Sequence, residues 1–454
     1  MTETQKTLSI IGGGLAGIAA AEAACTRGYR VGLFERSGVL GGRGASLFEP
    51  TKKQWIDIGQ HLILGCCTKI LALNRRLGLE NFFARSDIIP FATLKRQHWT
   101  LTASSFLPKR WQLLPSFLAM PVLPFCERLR TGLLLKKLGG ETLPDITIAE
   151  WFKQHNVSQN ALDAFWLPLI LSSLSEMPEY AAAKAVQKVI REGFLTGREG
   201  MSIHIPTVPL RTIYHDAASK ALAERDVSLH HYKRLRRLHW ERNNDGDPPT
   251  ITALEFSDGA FERSDHYILA IPPFQLWKVL EASDLTCCAE QLGLERFEPG
   301  AITTVHLWLD RPVLRSGRRC CALSGGIGQF LCAPHDVENY YTVVISAAHR
   351  LLESEMTTGG SADFANRILE QLRTTFDIPA LQLLHSRTTT CFDAIFSPRP
   401  SIYVQRPEST GLFTNGAIAG DWTQTGFPAT MEGAVRSGLT AANTVIESAS
   451  EPAA

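Results

Sequence analysis

The chain has 454 residues, 44% of them hydrophobic and 20% charged, and its 46 basic and 45 acidic side chains leave a net charge of +1. That length is enough for two globular domains with ordinary apolar cores, and the balanced charge excludes the basic excess that nucleic-acid binding requires. Ten cysteines are present, but Cys66–Cys67, Cys287–Cys288 and Cys320–Cys321 are adjacent pairs, without the C-x-x-C or Cys/His spacing of a metal site. They read as reduced, small apolar residues of a cytoplasmic protein that holds no metal.

Taken in order, Thr7–Ile11 is a short β-rich run leading into Gly12-Gly13-Gly14-Leu15-Ala16-Gly17, and a helix rich in alanine is predicted from Leu15 to Arg27, stopped by Gly28. The apolar stretch Leu8–Ala24 after Lys6 has some likeness to a secretion signal. Three glycines and Glu22 interrupt it, so the strand–turn–helix reading is preferred. No other stretch has the roughly 20 uninterrupted apolar residues of a membrane span. A second strand, Tyr29–Phe34, ends on Glu35, with Arg36 next to it.

Each part of this unit has a chemical use. Gly12 permits a tight turn, Gly14 lets the backbone approach a pyrophosphate, and Gly17 lets the helix pack closely on the sheet. The N–H groups at Leu15 and Ala16 face the same phosphates from a helix N-terminus. Glu35, eighteen residues past Gly17, is placed to accept hydrogen bonds from ribose hydroxyls. Strand, glycines, helix, second strand and acid in that order predict a dinucleotide-binding βαβ unit.

Gly41-Gly42-Arg43-Gly44-Ala45-Ser46 follows. Together with the first motif it resembles the extended fingerprint of the amine oxidase and carotenoid desaturase superfamily of FAD enzymes. The resemblance implies FAD as cofactor, with Gly41 and Gly42 against it and Arg43 near its phosphates. A strand is predicted over Gly411–Ala419, then Gly420-Asp421-Trp422, then a helix of small residues over Thr430–Glu447. The superfamily ends in the same way, which implies that Gly420, Asp421 and Met431 belong to the cofactor site and that the helix N-terminus faces the flavin. Asp226–Arg237 and Ala260–Pro273 resemble its remaining strands, with Leu235 beside the adenine.

Two segments narrow the resemblance: Asp57-Ile58-Gly59-Gln60-His61-Leu62-Ile63-Leu64-Gly65-Cys66, and Gly420 through Gly438 with Trp422, Phe427, Pro428 and Glu432. Both look like the bacterial hydroxysqualene dehydroxylases. The likeness continues more weakly through Trp166–Ser173, Leu307–Val313 and Arg387–Phe392. Members often carry Asn where Ile58 stands, which leaves Gln60 and His61 in place. The resemblance implies reductive removal of an allylic hydroxyl, and a long apolar isoprenoid as substrate. Gly59 joins the cofactor set. His61, with Gln60 beside it, is a candidate acid or orienting group, or else a core histidine with satisfied hydrogen bonds. Trp422 and Phe427 line either the substrate face of the flavin or the core.

The fold expected is α/β: a Rossmann-type FAD-binding domain assembled from discontinuous segments (1–80, 205–298 and 405–448), with an inserted mixed, mostly helical substrate domain (81–204 and 299–404). Thr303–Leu309 and Tyr341–Ser346 are its predicted strands, Asp145–Ala149 turns into a helix, and Trp151–Ser175 supplies core or tunnel wall. Within 104–138, apolar clusters alternate with Lys109, Arg110, Arg128, Arg130, Lys136 and Lys137 and are broken by four prolines. That composition suits peripheral contact with a membrane surface, or a helical cap with solvated cations. The tail from Ser448 onward is expected to be disordered. The electron donor is not legible. Two other readings stay open: a carotenoid desaturase acting oxidatively, and a binding protein without catalysis on the same scaffold.

Overall fold

The computed structural model describes residues 5–109, 111–242, 244, 246–351 and 363–448. Arg110 of the basic stretch and residues 449–454 of the tail lie outside them.

The βαβ unit forms as the pattern dictates. Strand β1 (Thr7–Ile11) has four buried residues in succession, as a strand covered on both faces must. Helix α1 (Leu15–Cys25) is buried along nearly its whole length, which explains its alanines. A Cβ on Gly438 of the C-terminal helix Met431–Ser448 would lie 2.0 Å from the Ala16 carbonyl oxygen, so that helix lies directly on α1. The α1 helix stops at Cys25, two residues short of the predicted Arg27. The Thr26 hydroxyl takes the Glu22 and Ala23 carbonyls, and Gly28 turns the chain at φ +84°. Strand β2 (Arg30–Phe34) returns parallel to β1.

Five strands make one sheet in the order Ser228–His230, β2, β1, His266–Leu269, Gly416–Ile418, with every pairing parallel. In such a sheet the crevice for a ligand opens at the carboxyl ends, where the strand order reverses. Those ends are tied laterally. The Gly12 N–H donates to the Phe34 carbonyl (2.8 Å), Ala270 to Ile11 (2.8 Å) and Ala419 to Leu269 (3.0 Å). The predicted strand over Gly411–Ala419 shrinks to three residues. Gly411 is left-handed at φ +86°, and the Asn415 side chain is spent on the Ile251 backbone.

A second, seven-stranded sheet runs Leu383–Phe396, Pro299–Leu309, Tyr340–Ile345, Phe330–Cys332, Cys320–Ser324, Ile88–Thr93, His98–Thr102. The two strands expected there are antiparallel neighbours, with Thr303 opposite Ile345. Helices cover part of it. Ile148–Gln154 starts on a complete capping box of Thr147 and Glu150. Trp151, Phe165, Trp166 and Ile170 are fully buried in the largest apolar cluster. No helix among the described residues is long and apolar enough to cross a membrane.

Candidate cofactor and substrate site

The first glycine turn divides into positions that the protein itself fills and one that it leaves open. A Cβ on Gly12, held at φ +107°, would sit 2.3 Å from the Ala270 carbonyl oxygen, and one on Gly17 would sit 1.9 Å from the Gly12 oxygen. At Gly14 the nearest atom to an added Cβ is the Gly42 Cα, 4.0 Å away. The Gly41 N–H bonds the Gly13 carbonyl at 2.8 Å, so the two glycine turns face each other across that gap. Gly14 gives α1 no capping side chain, and its first turn carries no acid. A helix N-terminus in that state favours an anion. Leu15 and Ala16 bury their side chains and offer only backbone.

Glu35 is buried at the end of β2 and accepts the N–H groups of Gly13 (2.7 Å) and Ser37 (2.8 Å). A carboxylate has about four lone-pair sites, so these bonds anchor it without using its full capacity. Arg36 beside it is exposed, and Leu235 is buried in the apolar cluster that holds Ile11 and Phe34.

Arg43 and Asp421, chosen from opposite ends of the chain, meet: Nη2 lies 2.6 Å from the Asp421 Oδ1, and Nη1 donates to the Ala394 carbonyl at 2.8 Å. The turn that carries Asp421 is fastened by Arg406, which sequence reasoning missed because no motif surrounds it. Its guanidinium is buried and donates to the carbonyls of Tyr403, Asp421 and Phe427. The Gly420 N–H donates to the Ser437 hydroxyl (2.8 Å), and Met431 opens the helix behind. Trp422 is buried against Phe297, its indole N–H on the Ile271 carbonyl, so it is a core residue. Phe427 is buried beneath the charges of Lys188 and Arg436.

The Asp57–His61 segment is held almost atom by atom. Asp57 accepts the Ser46 hydroxyl (2.6 Å) and the Leu210 N–H (2.8 Å), and His335 Nε2 lies 3.4 Å from its other oxygen. The Thr389 hydroxyl donates to the Ile58 carbonyl at 2.8 Å. Since that proton is committed, Thr389 Oγ1 accepts from His306 Nε2 (3.2 Å), and His306 Nδ1 then accepts the Tyr340 hydroxyl (2.8 Å). The relay Tyr340–His306–Thr389–Ile58 therefore has one direction, and its three side chains are buried. Gln60 Oε1 accepts the Thr342 hydroxyl at 2.9 Å. Gly59 presents its carbonyl to His61 Nδ1 at 2.7 Å. A carbonyl only accepts, so Nδ1 carries the proton and neutral His61 is left with an Nε2 lone pair. Burial, with the Arg43 charge adding to it, holds His61 below the ordinary histidine range despite the opposing pull of Gly59 and Asp57. The geometry is that of an orienting group: at neutral pH the one N–H of His61 is already used.

A parallel sheet with an anion-receptive glycine turn at its switch point, a buried acid after the second strand and a closing helix from the far end of the chain define a dinucleotide-binding oxidoreductase. The sequence matches the family described as flavin containing amine oxidoreductase over residues 15–446, and the chain belongs to that family. It is a flavin-dependent oxidoreductase with FAD as its cofactor. The chain is 27% identical to a hydroxysqualene dehydroxylase of Zymomonas mobilis over 96% of its length and 97% of the relative's. A probable zeta-carotene desaturase of Synechococcus elongatus matches at 22% identity, covering 97% of this chain and 98% of that one. Among solved structures, an oxidoreductase from Methanosarcina mazei superposes with a TM-score of 0.71 at 16% identity, covering 97% of this chain and all of that one.

Proposed function

We propose that the protein is a hydroxysqualene dehydroxylase, converting hydroxysqualene to squalene with reduced FAD. The observation that carries the reading is the full-length match to the Zymomonas mobilis dehydroxylase at 27% identity, against 22% for the desaturase.

The residues fit the cofactor at the one position where fit is decided. The space at Gly14, facing Gly42, is left open by the protein and would admit a pyrophosphate. Gly12, Gly14 and Gly17 with the first turn of α1 would hold the phosphates, Glu35 the adenosine ribose, and Arg43, Asp421 and the Met431 helix start the remainder. When bound, reduced FAD would supply a hydride for the allylic carbon. With a proton drawn from solvent, hydroxysqualene and that hydride balance to squalene and water. His61 Nε2 would orient the substrate hydroxyl by accepting a hydrogen bond from it. Gln60, pinned by Thr342, fixes the backbone next to it.

The test is anaerobic: chemically reduced holoprotein is mixed with hydroxysqualene, and the lipid extract is read by mass spectrometry. Squalene together with reoxidised flavin is the expected result. Flavin that stays reduced over unchanged substrate overturns the reading, and the oxidised enzyme would then be assayed on polyene precursors as a desaturase.

A further inference from the structure

The segment 104–138 contains six basic residues and one acid, Glu127, in a chain whose net charge is only +1. Helix Phe125–Gly140 sends part of this segment into the core through Leu135 and Leu138. Its opposite side shows solvent an apolar stripe: Phe125, Leu129 and Leu133 are 63%, 40% and 47% exposed at a spacing of four residues, which places them on one helical face. Phe106, on the neighbouring loop, is 95% exposed, and Leu107 follows it. An apolar cleft lined by Trp111, Leu114, Leu129 and Leu133, with Lys109 and Lys136 at its sides, joins loop and helix.

The cations are arranged around this apolar patch. Lys109, Lys136 and Lys137 are exposed, and the Lys136 ammonium stands 4.2 Å from the centre of the Trp111 ring. Arg128 and Arg130 serve a different purpose, bracing the helix by donating to the carbonyls of Leu118, Leu123 and His155. The acids nearby are engaged. Glu127 accepts the Ser158 hydroxyl, Glu141 the Trp151 indole N–H, and Glu192 pairs with Lys188.

We propose that this face docks the protein on a bilayer containing anionic phospholipid, with Phe106, Phe125, Leu129 and Leu133 entering the lipid and Lys109, Lys136 and Lys137 meeting the headgroups. An apolar ridge alone would suit a second protein equally well. The one-signed rim of lysines is what selects a negatively charged lipid surface. Each lysine near such a surface strengthens binding about fivefold. The inference extends the proposed function, because a long apolar substrate resides in the bilayer, but its test needs no substrate and so stands or falls separately.

The FAD-loaded full chain is sedimented with phosphatidylcholine vesicles prepared with and without phosphatidylglycerol. Binding is expected to the anionic vesicles, weakened by added salt, and reduced at least about tenfold by Leu129→Ser with Leu133→Ser and by Lys136→Glu with Lys137→Glu. All four side chains are exposed, and unchanged circular dichroism and flavin content show that each variant is folded. Failure to bind anionic vesicles, or binding indifferent to both double substitutions, overturns the proposal. So does lipid-free dimerisation that the leucine substitutions abolish, which would assign the stripe to a second copy of the chain.

Discussion

Gly14 and Gly17 are three residues apart in one motif, yet their surroundings assign them opposite consequences. An alanine methyl at Gly17 collides with the Gly12 carbonyl at 1.9 Å, so the strand–helix turn must open. Gly17→Ala should destabilise the protein by about 3 kcal/mol, the upper end of what overpacking against rigid backbone typically costs. At Gly14 the methyl meets nothing nearer than 4.0 Å. Gly14→Ala should therefore melt with the wild-type apoprotein while binding FAD at least about tenfold more weakly, because the methyl occupies the phosphate approach. A normally flavinated Gly14→Ala would remove the glycine turn from the cofactor site. At His61 the sign of a pH profile decides the role. With the neutral ring as the orienting form, activity should fall on the acid side with a midpoint below the ordinary 6.5, and His61→Gln should lack that limb. His61→Gln keeps a polar group and should lose about tenfold in kcat, His61→Leu about a hundredfold. Activity that instead rises as His61 protonates would make it the acid.

Elements whose signals are local were legible in the sequence: β1, α1, β2, the turn into a helix at Asp145–Ala149, and the C-terminal helix with its small residues. Their partners were not, because pairing across hundreds of residues leaves no periodicity. Glu432 is the clearest case. It lies inside the Gly420–Gly438 motif, and it caps a different helix, Thr68–Arg76, accepting the N–H groups of Lys69 and Ile70 at 3.0 Å while pairing with Arg436 at 2.7 Å. Arg406 and the Tyr340–His306–Thr389 relay were invisible for the same reason: Arg406 binds backbone carbonyls that carry no sequence signal, and the relay joins side chains from three different strands. Conversely, the sequence named Arg43 and Asp421 but not that they touch. Glu432→Ala removes a cap that is fully buried and leaves Arg436 without its carboxylate, so a loss of ~2 kcal/mol is expected in chemical denaturation. A variant as stable as the wild type would mean that water replaces the cap. Thr389→Val deletes the relay's last donor. It should lower activity through the Ile58–His61 backbone while leaving FAD affinity unchanged, and a parallel loss of FAD would place the relay's effect on the cofactor instead.

At the scale of the whole molecule, two buried groups make the fold sensitive to acid in separate windows. His306 is depressed to about 4, first by burial and then by the charges of His335 and Arg387, against the opposing effect of Asp57. An unfolded histidine takes up its proton near 6.5, so the stability that neutral His306 provides is complete above that pH and is lost as pH falls from 6.5 toward 4. Glu176 behaves similarly at lower pH. Burial alone would raise it, but His349, Ser397, the Met177 N–H and Arg350 outweigh burial and bring it to about 2. Its contribution is present above about 4.5 and disappears between there and about 2, about 3 kcal/mol in all. Glu176 lies where the chain after helix Leu167–Leu174 meets Arg350 and Ser397, so its protonation loosens the contact between the helical layer and the long sheet. Denaturation midpoints measured from pH 8 to pH 3.5 should therefore decline in the wild type, beginning near 6.5 and steepening below 4.5. His306→Gln should decline less across the upper window, where His61 and other histidines held below 6.5 also contribute, and keep the lower one, and Glu176→Gln should keep the upper decline and lose part of the lower. A wild-type curve level down to pH 4.5, or a His306→Gln curve parallel to it, would show that this histidine is not the group that acid must charge to open the sheet.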